Sequence, residues 1–138
     1  MAIELSRYCI PFTPFRGRLE EAAVCLVTTA AVHLRTDPPF EVDGDKSYRV
    51  IPGSATGADL AYADAHYDHA CVDADINCVF PLDRLQSLAR EGRIRAVSDR
   101  HFSMGYSQEL RALRAETIPT IAGEVDRVRP DAVLLTGG

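Results

Sequence analysis

The chain alternates short apolar runs with segments that have no period at all, and the runs come in a telling order. Ala22–Thr29 (AAVCLVTT) is a short stretch of β-forming residues that predicts a strand covered on both faces, as in a parallel sheet. It runs into AAVHLRTDPPF, read as a loop because Pro38 and Pro39 keep it from becoming helix. Tyr48–Ile51 (YRVI) predicts a short strand stopped by Pro52-Gly53. Residues 40–80 otherwise show no sustained period, and a connection that long is usually functional or disordered. Its Tyr, His and Cys content favours function.

From residue 81 the periodicity sharpens. In PLDRLQSLAREG, Pro81 suits a first turn, Leu82, Leu85, Leu88 and Ala89 share a face, and Gly92 suits the position after the last turn. Ile94–Val97 (IRAV) predicts a strand and His101–Ser107 (HFSMGYS) a loop. Over residues 108–129, Leu110, Leu113, Ile118, Ile121, Val125 and Val128 follow a 3.6-residue period, with Pro119 expected to kink or split that helix. Ala132–Thr136 predicts a buried strand ending in Gly137-Gly138. Strands alternating with helices imply an α/β domain with a mostly parallel sheet and flanking helices, a Rossmann- or flavodoxin-like half. Residues 1–18, with Pro11, Pro14 and Gly17, read as an extended arm that Phe12 and Phe15 could anchor; residues 19–138 form the front part of one α/β domain. An apolar strand followed by Gly-Gly normally leads into a βα turn and a helix, so the domain is expected to be incomplete at its C-terminus.

Charge narrows the function classes. Fifteen Lys and Arg stand against twenty Asp and Glu, a net charge of −5. Without a basic cluster, nucleic acid and anionic membranes are poor partners. The charge is uneven: residues 36–80 carry nine acids against Lys46 and Arg49, whereas residues 81–130 carry nine Arg against seven acids. The longest nearly apolar run, Ala22–Val32, is shorter than the ~20 residues a membrane span needs. With no recognisable signal peptide, a cytoplasmic location is expected, and Cys9, Cys25, Cys71 and Cys78 are read as free thiols.

Three segments carry a family resemblance: HLRTDPPFEVDGDKSYRVIPG (33–53), DINCVFPLDRLQSLAREGRI (75–94) and DAVLLTGG (131–138). They resemble the D-proline reductase selenoprotein subunits and, more broadly, the glycine/sarcosine/betaine reductase selenoprotein B family. The likeness runs from about Pro11 to Gly138. In that family the strand matching DAVLLTGG is followed at once by selenocysteine, then Gly, a variable residue and Cys. The resemblance therefore implies a sequence cut at a selenocysteine codon just beyond Gly138, UGA being read as stop. It implies reductive cleavage of a C–N bond next to a carboxylate, with a pyruvoyl group on a partner subunit and a dithiol or thioredoxin-like reductant. This chain holds no cofactor and lacks the nucleophile, so alone it is expected to be inactive. Self-association and the identity of the substrate stay open.

Within that frame, His33 follows the first strand and matches a family histidine, which makes it a candidate to donate a proton or hold a carboxylate. His66 and Asp68 are a candidate acid/base pair, the Asp orienting the imidazole, although the family places its histidine slightly earlier. Arg49 is a candidate for pairing a substrate carboxylate, with a structural ion pair to the acidic stretch as the competing role; Arg35 is the other nearby cation. Gly137 and Gly138 are the candidate substrate-facing backbone at the end of the last strand. His66, His69, Cys71 and Cys78 are zinc-ligand types, but their spacing fits no standard structural zinc pattern, and Cys78 sits where the family has a buried residue. Asp75-Ile76-Asn77 is read as loop-fixing. The competing function is a non-enzymatic, metal- or partner-binding α/β module.

Overall fold

The computed structural model describes residues 14–137. Pro11, Phe12 and Cys9 of the arm, and Gly138, lie outside the described residues. The strands are β1 (Ala23–Thr28), β2 (Val32–Leu34), β3 (Tyr48–Pro52), β4 (Leu60–Tyr62), β5 (Ala96–Val97), β6 (Arg100–Met104) and β7 (Ala132–Thr136). The helices are α1 (Ala70–Ala74), α2 (Leu82–Arg90), α3 (Leu110–Ala112) and α4 (Ile118–Val128).

β1 is the axis of the main sheet. Its register pairs Val24–Thr28 with Ala132–Thr136 of β7 on one side. On the other side it pairs first with β5 and then with β6. All of these pairings are parallel, and β3 closes the far side antiparallel to β6. The expected α/β fold with a mostly parallel sheet and flanking helices is what forms. Because side chains alternate along a strand, β1 feeds two cores. Val24 and Leu26 join Ile51, Phe80, Leu82 and Leu85 on one face. Cys25 joins Phe102, Met104, Leu113 and Ile121 on the other, beneath the long helix.

α2 ends as its sequence requires, with Gly92 at φ +69 just beyond it, where a side chain would be strained. Pro119 does not split the long helix. A wide π turn, Leu113–Thr117, joins α3 to α4 and places Pro119 at the second residue of α4. Proline lacks the N–H and crowds the carbonyl four residues back, and a widened turn relieves both.

Four expectations are corrected. His101–Met104 is not loop but most of β6. Phe102 and Met104 face one core, while His101 and Ser103 face the other side as buried polar residues, which hides the apolar alternation. The strand expected at Ile94–Val97 shrinks to Ala96–Val97. The supposed loops hold β2 and β4, a small antiparallel pair with His33 opposite Ala61, and also α1. Finally, among the described residues nothing buries β7: Val133 and Leu134 are 41% exposed and Leu135 is 73% exposed. It pairs with β1 alone, and among the described residues nothing flanks its other edge.

The break between β5 and β6 leaves the Leu26 N–H of β1 without a strand partner. The His101 ring supplies one: Nδ1 accepts that N–H at 2.9 Å. A ring accepting at Nδ1 carries its own hydrogen at Nε2, which is buried and has no partner. Burial pushes the His101 imidazole down to about 4, so it is held neutral.

Candidate functional site

In open α/β sheets, groups that act on ligands gather past the carboxyl ends of the parallel strands. Here that edge is built by the segments leaving β1, β6 and β7. Thr29 N–H donates to the Thr136 carbonyl at 3.1 Å, Ala31 N–H to the Met104 carbonyl at 3.2 Å, and Ala63 N–H to the Ala31 carbonyl at 3.1 Å. The acidic loop before β3 folds onto the same edge. Phe40 and Asp45 pack so closely on Gly105 that a Cβ there would lie 2.9 Å from the Phe40 ring and 2.8 Å from the Asp45 Cβ. Glycine is therefore the residue that lets this loop close over the end of β6.

Three of the expected site residues meet around this loop. His33 is buried on β2, and its Nδ1 donates to the Leu34 carbonyl at 2.8 Å. Its ring stands edge-on to Phe40, with centroids 6.2 Å apart. Arg49 lies over the Phe40 ring at 4.3 Å. Its guanidinium donates to the Pro38 and Pro39 carbonyls, the Tyr48 carbonyl and the Ser47 hydroxyl. These partners are carbonyls and a hydroxyl rather than the carboxylates expected of a structural ion pair, so Arg49 straps the 38–40 loop to β3. Its charge also reaches Asp45: burial pushes that carboxyl up, but hydrogen bonds from Ser47 and the Glu41 N–H, together with Arg49, hold it below its usual value.

His66 is the third. Its Nδ1 is 2.8 Å from Asp64 Oδ1 and its Nε2 is 3.1 Å from Asp43 Oδ1. Its ring stacks on Tyr106, two residues past the end of β6, with centroids 3.6 Å apart and planes 17° apart. Asp68 does not orient this ring: its Oδ1 accepts the Ala70 N–H at 3.0 Å at the start of α1, while the His66 ring pairs with Asp64 and Asp43. The orienting carboxylate is Asp64, two residues before the histidine instead of two after it. Asp43, Asp64, Phe40, Gly105 and Tyr106 were not singled out from the sequence. The one usable signal was the Asp-x-His spacing of Asp64 and His66, which permits the local hydrogen bond.

Gly137 follows β7 at this same edge, where a Cβ would make only ordinary contact with Thr29 Oγ1. The proposed metal ligands do not converge: among the described residues no group of three or more His, Cys, Asp or Glu is placed to hold an ion. His69 packs edge-on against the Tyr62 and Tyr67 rings, at 5.0 and 5.2 Å, and its Nε2 is buried. Cys71 and Cys78 are exposed, so Cys78 is not the buried residue the resemblance implied. Cys25 is a core residue whose thiol burial pushes up to about 11, which suppresses the reactive thiolate. Asp75 and Asn77 fix the loop before α2: Asp75 Oδ1 accepts the Asn77 N–H and side-chain amide, and Asn77 bridges to Asp83. A cleft of about 620 Å³ between Arg35, Tyr62, Asp73, Asp75 and Asp83 contains none of the expected catalytic residues.

Comparison with known proteins meets this geometry here. D-proline reductase subunit gamma of Acetoanaerobium sticklandii is 41% identical over 128 residues, which is 92% of this chain and 53% of that protein. Over these residues the identity supports kinship with the D-proline reductase selenoprotein-related family. It spans about half the length of that relative. No family model and no solved structure matches the chain. Among the described residues, no helix is long and apolar enough to cross a membrane.

Proposed function

We propose that this chain is the front portion of a D-proline-reductase-like selenoprotein subunit, working in the cytoplasm on an amino acid or related amine. The observation that carries the reading is the 41% identity to subunit gamma along 92% of the chain. The gathering of His33, Arg49 and His66 at the carboxyl edge of the sheet, where Gly137 also ends β7, supports it. The reaction is a two-electron cleavage: the C–N bond beside the carboxylate breaks, the carbon gains hydrogen, the nitrogen leaves as amine, and a dithiol becomes a disulfide. As the resemblance implies, a pyruvoyl group on a partner subunit would supply the electrophile and a selenocysteine encoded just beyond Gly138 the nucleophile.

The residues of this chain shape and charge the approach to that chemistry. His66 exchanges a proton at Nε2, the ring nitrogen that meets the exposed Asp43. Arg49 adds positive charge to the edge while its donors hold the loop. His33, hydrogen-bonded to backbone, fixes Phe40 beneath that loop. The test is the nucleotide sequence together with an assay. UGA at codon 139 followed by Gly-x-Cys is expected, with D-proline reduction by dithiol appearing only when translation reads through and a pyruvoyl partner is present. A sense codon at 139, or no activity in the reconstituted read-through complex, overturns the proposal.

A further inference from the structure

Among the described residues, both polar partners of the His66 ring are carboxylates, and the two differ sharply in setting. Asp64 has a side chain only 4% exposed, whereas that of Asp43 is 83% exposed. Asp64 Oδ1 accepts twice from the same residue, from the His66 backbone N–H at 2.7 Å and from Nδ1 at 2.8 Å. Among the described residues, His66 is the one basic side chain within ion-pair distance of Asp64. An ionised carboxylate only accepts, so keeping both of these contacts as hydrogen bonds takes a hydrogen on each ring nitrogen. A neutral ring must give up one of them. Losing the Nδ1 hydrogen would leave a buried carboxylate facing a ring lone pair, which is costly. Losing the Nε2 hydrogen frees only Asp43, which water solvates at once.

From this asymmetry we infer that Asp64 is a positioning residue. It holds His66 as the Nδ1–H tautomer, with Tyr106 fixing the ring plane, so that Nε2 is the nitrogen that takes up and releases a proton at this edge. Asp43 is a displaceable cover on that nitrogen. In the exchange, the Nε2 lone pair gains a proton, the ring becomes imidazolium, and the hydrogen bond to Asp64 persists and offsets the new charge. Free neutral imidazole side chains favour hydrogen at Nε2, so the tautomer assigned here is the less common one and its detection is informative. That Nε2 serves a reductase rests on the proposed function; the tautomer does not.

The test is ¹⁵N NMR of the His66 ring in the intact labelled protein, at a pH high enough for the ring to be neutral. Wild type and Asp43→Ala are expected to show a protonated Nδ1 and a bare Nε2. Asp64→Ala is expected to switch to hydrogen at Nε2, with Asp43 as the remaining acceptor. Hydrogen at Nε2 in the neutral wild type, or its appearance in Asp43→Ala, overturns the inference. So does an unswitched ring in a folded Asp64→Ala protein. If Asp64→Ala does not fold, the wild type and Asp43→Ala still decide. In the reconstituted read-through complex, His66→Ala at wild-type activity would sink the proton-transfer role while leaving the tautomer result standing.

Discussion

The middle of β6 and the segment leaving its carboxyl end each meet an imidazole, and the two are wired in opposite ways. His101, inside the sheet, accepts at Nδ1 from a backbone N–H and, among the described residues, pairs with no carboxylate. Its surroundings favour a neutral ring, and its task is to complete the hydrogen bonding of β1. His66, stacked on Tyr106 beyond the strand, meets a carboxylate at each nitrogen and is partly open to water. The same side chain is architecture in one place and candidate chemistry in the other. Its partners and its access to solvent decide which.

The sharpest way to break this contrast is His101→Ala. It opens a core cavity and strands the Leu26 N–H, so we expect a loss of about 3 kcal/mol in chemical denaturation. His66→Ala should cost on the order of 1 kcal/mol or less. Equal losses would erase the distinction between the two histidines.

Acid should separate them next. The His101 imidazole is pushed from 6.5 down to about 4 in the folded protein, so the unfolded chain takes up the proton first as pH falls. The stability it contributes is complete above pH 6.5 and drains away as pH falls to 4, on the order of 3 kcal/mol in all. Asp59, held down by hydrogen bonds from Thr56, Asp75, held down by Asn77 and Arg84, and Asp131, held down by the Ala23 N–H and Arg95, give up their contributions only below about 3.8. Denaturation midpoints that stay flat between pH 6.5 and 4 would refute the neutral buried ring.

Gly105→Ala probes the edge itself. The new Cβ would lie under 3.0 Å from Asp45 and Phe40, so we expect a cost of about 1–3 kcal/mol by overpacking, with the 40–45 loop displaced. Chemical shifts confined to the mutated residue would contradict this packing. Tyr106→Ala removes the face of the His66 stack and should cost about 1 kcal/mol while broadening the ring signals of His66. The smallest effect is expected at the bare edge: Leu135→Lys in the 138-residue chain should change stability by less than about 0.5 kcal/mol. A loss of several kcal/mol there would restore the buried strand that the apolar run implied.

Much of the framework was readable in the order of residues. β1, β3, α2 and the long helix fall where period, proline and glycine place them, because each of those signals acts within a few residues. β6 was missed because His101 and Ser103 are polar yet buried, and no local pattern announces a histidine that replaces a missing strand partner. That β7 stands open within the described residues was not legible, because an apolar run records what a strand can bury, not what lies beside it. At the site, His33, Arg49 and His66 were legible as residue types. The switch from Asp68 to Asp64 was not, since a carboxylate two residues on either side of a histidine looks equivalent until the turn is known.

The sequence by itself determined the α/β class, the two strongest helices, and the likeness to the D-proline reductase selenoprotein subunits, because period and ordered identity are carried by the chain directly. Only the tertiary structure decided which histidine is sealed in the sheet and which stands at its edge. That choice depends on groups brought together from distant parts of the chain: Leu26 against His101, and Asp43 and Tyr106 around a ring that Asp64 holds from two residues away. Hydrogen-bond partners and burial of this kind exist only after folding, and they set what an imidazole can do.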